Sequence, residues 1–214
     1  MYRRPRARNM FLLIGALFVA AADAQTQTFS GGPGKVTTIE LFTSEGCSSC
    51  PPADAWLSRL KHDPRLWKTL IPMAFHVDYW DYIGWRDRFA RAKFSDRQRE
   101  YQRLGRIRTV YTPGFVVDGE EWRGWFRGRK LPVAGSEERV LTVRVEGSRV
   151  SAEFSPGERE NLEFNLALLG FELSSEIARG ENAGSTLNHD FVVLDTVTVA
   201  SGNGRWSIDF PALQ

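Results

Sequence analysis

The chain has 214 residues, 42% of them hydrophobic, 12% aromatic and 25% charged, with a formal charge of +2. Those fractions belong to a folded protein and exclude a disordered, collagen-like or coiled-coil chain. Length alone leaves one large domain or two small ones open, and no internal repeat decides between them.

The first residues form an address. Arg3, Arg4, Arg6 and Arg8 precede an apolar run of 13 residues, Met10–Ala22, and Ala22-Asp23-Ala24 supplies small residues before Gln25. A basic head, an apolar middle and a small-residue cut site predict a signal peptide over 1–24. A membrane span would need about 20 apolar residues. A periplasmic or secreted protein is therefore expected, with no membrane attachment after cleavage. Loss of four arginines and Asp23 takes the formal charge from +2 to −1, so the basic balance belongs to the leader.

Val36–Phe42 alternates in hydropathy and predicts a strand, and Pro51–Lys61 predicts a helix with Trp56, Leu57 and Leu60 on its apolar side. Leu70–Val77 is a second apolar strand. Arg86–Leu104 reads as a charged helix with Phe89, Phe94, Tyr101 and Leu104 as its apolar positions. Nine basic residues over Arg86–Arg108 are interspersed with Asp87, Asp96 and Glu100, the pattern of a solvated face, so no nucleic-acid partner is expected. Phe115–Val117 and Glu120–Trp122 flank Asp118-Gly119, a strong two-residue hairpin signal. The first half, 25–123, is thus predicted as β-α-β-α-β-β. A Gly- and Pro-containing basic stretch, 124–136, is taken as a linker. Val140–Val145, Val150–Phe154, Leu162–Leu169, Phe191–Val199 and Arg205–Phe210 then read as strands with Gly-rich turns. They predict a small antiparallel β-sandwich over 137–214.

The chemistry lies where the first strand runs into the first helix. Cys47 and Cys50, the only two cysteines, are three apart, and on a helix such positions are about 5–6 Å from one another. Cys47 is expected at the helix start, where unpaired N–H groups and the helix dipole favour a thiolate. Cys50, one turn on, is placed to resolve a mixed disulfide. Two other readings stand beside this one. A bridge across two residues could be a weak structural brace. Alternatively the pair could hold a metal: zinc usually takes four ligands, and only His62, His76 and His189 could join the two thiolates, while copper could be held by Cys47, Cys50 and His76. No metal or other cofactor is assigned.

Thr112-Pro113 precedes the hairpin. A right-handed β-α-β unit makes its two strands parallel, so their C-terminal ends share an edge, and a following antiparallel strand begins there. Thr112 and Pro113 are therefore expected beside the dithiol. The block Tyr79–Trp85 follows the second strand to the same edge. Tyr79, Trp80 and Trp85 read either as a small hydrophobic core under a loop or as a platform for a peptide or glycan. His76 and Asp78 alternate on one side of the strand end, where a buried structural role competes with proton transfer to Cys50.

A strand, Cys-x-x-Cys on a helix and a late Thr-Pro entering a hairpin together resemble the thioredoxin superfamily. More closely, Glu40–Asp54, Phe75–Trp85, Val110–Pro113 and Arg179–Gly184 resemble the DUF1223 family of exported thioredoxin-like bacterial proteins, over roughly 36–214. The resemblance implies a thioredoxin-like mixed sheet, Cys47 as the exposed thiol, Cys50 as its partner and a cis Pro113. It implies no substrate. The sequence departs from thioredoxin itself at Gly46, at Ser48-Ser49, at Pro51-Pro52 and in the missing closing helix. The expected function is thiol–disulfide exchange with the thiols or disulfides of other exported proteins. A binding module braced by its disulfide is the alternative.

Overall fold

The computed structural model describes residues 26–31, 35–132, 140–155, 162–201 and 203–210. The predicted signal peptide and residues 133–136 of the predicted linker lie outside them. Among the described residues no helix is long and apolar enough to cross a membrane.

A short strand, β1 (Gln27–Ser30), is followed by β2 (Thr37–Thr43), helix α1 (Pro51–Ser58) and β3 (Leu70–His76). Helix α2 (Ala92–Arg103) leads to the hairpin of β4 (Gly114–Val117) and β5 (Glu120–Glu121). The predicted turn is present: Asp118 and Gly119 both have positive φ, 50° and 84°, as a type I′ hairpin requires. The two helices are shorter than expected. Past Ser58 the chain tightens into a 3-10 turn over Arg59–His62. Residues 86–91 stay out of α2 because the Asp87 carboxylate accepts the N–H groups of Glu45 and Phe89 and holds that stretch as a loop.

The second half contributes β6 (Val140–Glu146), β7 (Arg149–Ser155), β8 (Leu162–Gly170) and β9 (Leu173–Glu176). It ends with β10 (Thr186–His189), β11 (Val192–Ser201) and β12 (Arg205–Asp209). The result is a mixed α/β architecture with a six-stranded mixed sheet, order β5-β4-β2-β3-β11-β8. Strands β2 and β3 are parallel, and β4 is antiparallel to β2. A four-stranded antiparallel sheet, β1-β6-β7-β12, and the β9–β10 pair complete it. Strands β8 and β11, expected in a separate sandwich, extend the first sheet instead: β11 runs parallel to β3 at Val192–Ala74, and Ala74 N–H donates to Phe191 O at 2.8 Å. Their far ends still face the four-stranded sheet. Val197, Val199, Phe164 and Leu166 pack there against Val150, Trp206 and Ile208. Strand β1, which the sequence did not signal, pairs with β6.

Period-two alternation assigns the sheet's two faces. Ile39, Leu41, Phe115, Val117 and Ala74 meet Ala53 and Leu57 of α1, whereas Phe42, Phe75, Val116 and Val193 meet Phe94 of α2. Burying each large side chain is worth about 1.5–3 kcal/mol. Exposed pairs such as Arg103–Glu100 are screened by solvent and contribute little, so the two apolar layers fix where β2 ends and α1 begins. That junction carries the cysteines.

Candidate functional site

Between β2 and α1 the chain makes two successive turns. Cys47 N–H donates to Ser44 O and Cys50 N–H to Cys47 O, each at 3.1 Å. Cys47 and Cys50 are disulfide-bonded, with their Cα atoms 5.4 Å apart. Cys50 is the N-cap of α1 and Pro51 its first residue. Two expectations are corrected here. Pro51 and Pro52 have no N–H, and the next two donors, of Ala53 and Asp54, are taken by Cys50 O, so the helix start keeps no free donor for Cys47. Nor is Cys47 exposed: both cysteines are 0% exposed, and the open residues of the turn are Ser48 and Ser49. The Ser49 hydroxyl lies 3.4 Å from Cys47 Sγ.

The cover comes from far along the chain. The loop between β9 and β10, residues 177–185, lies on the cysteine turn as a strap. Asn182 Nδ2 donates to Glu45 O at 2.8 Å and to Cys47 O at 3.1 Å. Glu181 Oε2 accepts the Ser48 N–H at 3.2 Å, and the Ser48 side chain together with that N–H holds the carboxyl below its ordinary pKa. The strap closes on itself through Gly184 N–H to Ile177 O at 2.7 Å, and Gly180 backs onto Trp85.

The aromatic block supports the turn from the other side. Trp80 Nε1 donates to Thr112 Oγ1 at 2.7 Å, and the same residue presses on Gly46, where an added Cβ would sit 3.0 Å from Trp80 Cβ. Thr112–Pro113 is a cis peptide, as expected, and through Trp80 it is tied to the residue before Cys47. Tyr79 donates to Gln98 Oε1 at 3.0 Å, and Trp85 Nε1 to Glu45 Oε2 at 2.7 Å. All three rings are half-buried with their polar atoms turned inward; the ring that projects into solvent is Tyr82, 83% exposed.

Beneath the turn lies a buried polar cluster. His76 Nδ1 is 2.6 Å from Asp87 Oδ2, both side chains 0% exposed. His189 Nε2 approaches Glu45 Oε1 at 3.3 Å but is misaligned for a hydrogen bond. The two imidazoles meet edge to face at 5.0 Å, and Phe89 packs on both. Burial alone would lower the His76 pKa, but Asp87, with Asp54 and Glu45 behind it, turns the net shift upward. Burial opposes ionisation of Asp87 as well, yet His76 and two backbone N–H groups bring its pKa below the ordinary value. Asp54 accepts from Thr43 Oγ1 at 3.0 Å, and burial dominates to raise its pKa. Asp78 goes elsewhere, accepting from Ser95 Oγ at 2.5 Å. Among the described residues no group of three His, Cys, Asp or Glu is arranged to hold a metal ion, the set Cys47, Cys50 and His76 included. A wider groove of about 940 Å³ lies on the α2 side, lined by Glu40, Arg97, Tyr101 and Thr196, and takes in none of these residues.

Residues 38–214 match the family described as "Protein of unknown function (DUF1223)". The chain belongs to the DUF1223 family. No curated protein matches it. Among solved structures, a structural-genomics protein of Agrobacterium tumefaciens is similar, with a TM-score of 0.61 and 26% identity over 85% of this chain and 81% of that one. HBP35 of Porphyromonas gingivalis has a TM-score of 0.48 at 15% identity, over 83% of this chain and 64% of that one.

In this DUF1223 protein the structure brings together Cys47, Cys50, Thr112, Trp80 and Trp85, which the sequence had singled out. The partners it adds are Glu45, Asp87, His189, Glu181 and Asn182. The family blocks Glu40–Asp54 and Arg179–Gly184 contained Glu45, Glu181 and Asn182 without giving them a role, Asp87 read as part of a solvated face, and His189 stood only as a possible metal ligand. Chemically, a disulfide between residues three apart can exchange with a thiolate that reaches one of its sulfurs.

Proposed function

We propose that this protein is an exported thiol–disulfide oxidoreductase of thioredoxin-like build, exchanging disulfides with the thiols of other exported proteins. The observation that carries the reading is the closed Cys47–Cys50 bond at the β2–α1 junction. The order β5-β4-β2-β3, with β2 and β3 parallel and a cis Thr112–Pro113 leading into β4, supports the thioredoxin-like build. In the exchange a partner thiolate attacks Cys47, the S–S bond breaks, and Cys50 leaves as a thiolate that takes a proton. A second partner thiolate then attacks the mixed disulfide and releases Cys47; the partner is oxidised and the pair reduced by two electrons. Asp54, buried on the helix turn that follows Cys50, is a group able to supply that proton. Thr112, Pro113 and Trp80, with Ser48 and Ser49, form the rim on which the partner chain would lie, flanked by Tyr79 and Trp85.

Cys50→Ser should trap covalent adducts through Cys47, seen as reducible bands on gels, whereas Cys47→Ser should trap few. N-terminal sequencing of the exported protein should begin near Gln25; retention of Arg3–Arg8 on a membrane-bound product would remove the export part of the reading.

Complete burial of both cysteines favours a second reading, a binding module in which the disulfide is a brace. A pair that resists glutathione buffer, with neither cysteine variant trapping a partner, would establish that alternative.

A further inference from the structure

The strap touches the cysteine turn mainly through main-chain groups, with the Ser48 side chain as a further partner of Glu181. Asn182 donates to the carbonyls of Glu45 and Cys47, and Glu181 accepts the amide of Ser48. It is therefore sensitive to the shape and charge of the turn. With the disulfide closed neither sulfur carries charge, and a carboxylate one peptide unit from Cys47 meets no opposition. Reduction changes that. A thiolate at Cys47 and the Glu181 carboxylate would both draw on the N–H next to Cys47, and like charges sharing one donor disfavour each other. The Ser49 hydroxyl, already 3.4 Å from Cys47 Sγ, can turn its proton to the thiolate.

We propose that the Ile177–Ser185 strap is a redox-sensitive cover, docked over Cys47 while the disulfide is closed and released when Cys47 becomes a thiolate. The idea rests on the dithiol being a working pair, and it supplies the regulation of that site. In the step that opens the cover, a dithiol reductant is oxidised to its disulfide and two electrons break the Cys47–Cys50 bond. One of the reductant's protons goes to Cys50 and the other to solvent, leaving Cys47 as the thiolate. Linkage makes the effect reciprocal: whatever factor favours release on reduction also favours the closed disulfide when the strap is down. Glu181 and Asn182 are thus positioning residues for Cys47, acting through the backbone of the turn.

Hydrogen exchange of the full-length mature protein, read by mass spectrometry over 177–185, tests this at about pH 8.5, the ordinary cysteine pKa. Release frees the strap to open its own amide bonds, Gly184 N–H to Ile177 O and Ala183 N–H to Gly180 O, so this peptide should exchange at least about tenfold faster in the dithiothreitol-reduced protein than in the oxidised one. Peptides of β2 and β3 should be unchanged, which separates release from unfolding. Glu181→Gln keeps an acceptor for Ser48 but removes the charge, and should stay protected in both redox states. The double variant Cys47→Ser/Cys50→Ser, with neither a bond nor a charge, should also stay protected. Equal exchange of the oxidised and reduced wild type overturns the proposal. So does release in Glu181→Gln on reduction, or release in the double serine variant. None of these readings depends on trapping a partner, so the cover can fail while thiol exchange stands.

Discussion

Replacing Asp87 by Asn tests the buried cluster directly. In the native site one carboxylate serves three donors: Oδ2 takes Glu45 N–H at 2.9 Å and His76 Nδ1 at 2.6 Å, and Oδ1 takes Phe89 N–H at 2.9 Å. An amide has a single oxygen. If it keeps Glu45 and His76, its NH₂ faces the Phe89 N–H, donor against donor. An unsatisfied buried donor costs about 1–3 kcal/mol. Breaking a buried ion pair costs about 3–5 kcal/mol in all, and with both side chains fully buried that range applies without discount for solvent. Urea unfolding at neutral pH should show that loss. The pH dependence has a definite sign. His76 has a raised pKa, so its contribution is full below the unfolded value of 6.5 and fades as pH rises through the folded value. Asp87 has a lowered pKa, so its contribution is present above 3.8 and is lost as pH falls through the folded value. Wild-type stability should therefore decline on the alkaline side of 6.5, and Asp87→Asn should flatten that limb. A variant within about 0.5 kcal/mol of wild type, with the alkaline limb intact, would refute the argument.

Two further substitutions probe the supports of the site. Glu40, 3% exposed, is held bidentately by Arg97 Nε and Nη2 at 2.6 Å each, with Tyr101 donating at 2.8 Å. Arg97→Met should cost about 2–3 kcal/mol, below the full buried-pair range because the Arg97 side chain is itself 35% exposed; an unchanged urea midpoint would count against a buried charge there. Gly46→Ala would drive a methyl to 3.0 Å from Trp80 Cβ, so about 1–3 kcal/mol should be lost together with the Trp80–Thr112 bond. Near-ultraviolet dichroism of the tryptophans should report the shift, and a spectrum identical to wild type would sink it.

The parts legible in sequence are those set by local chemistry. Alternation placed β2, an apolar run placed β3, Asp118-Gly119 placed the hairpin, and the cysteine spacing placed the dithiol at a strand–helix junction. What stayed hidden is set by pairing at long range. Alternation in β8 and β11 shows that each is a strand but not which sheet it joins, since the same apolar face suits a sandwich or an extended mixed sheet. Asp87 sits among arginines and looks solvated, yet it is buried because His76 and two backbone donors converge on it. Glu45 and His189 come from opposite ends of the described chain, and no local pattern links them. Strand β9 is short, with Ser174 and Ser175 at its centre, which left the strap without an anchor on paper.

The docking of the strap on the cysteine turn also fixes an order in time. Asn182 follows Cys47 by 135 residues in the chain. Synthesis at about 5–20 residues per second leaves on the order of ten seconds during which Cys47 and Cys50 exist and nothing that later seals them does. An oxidant meeting the growing chain finds both thiols open; one that arrives after β9 and β10 have paired must first displace a hydrogen-bonded loop. The same two atoms are thus easy to join early and hard to reach late, a bias that follows from the direction in which the chain is made.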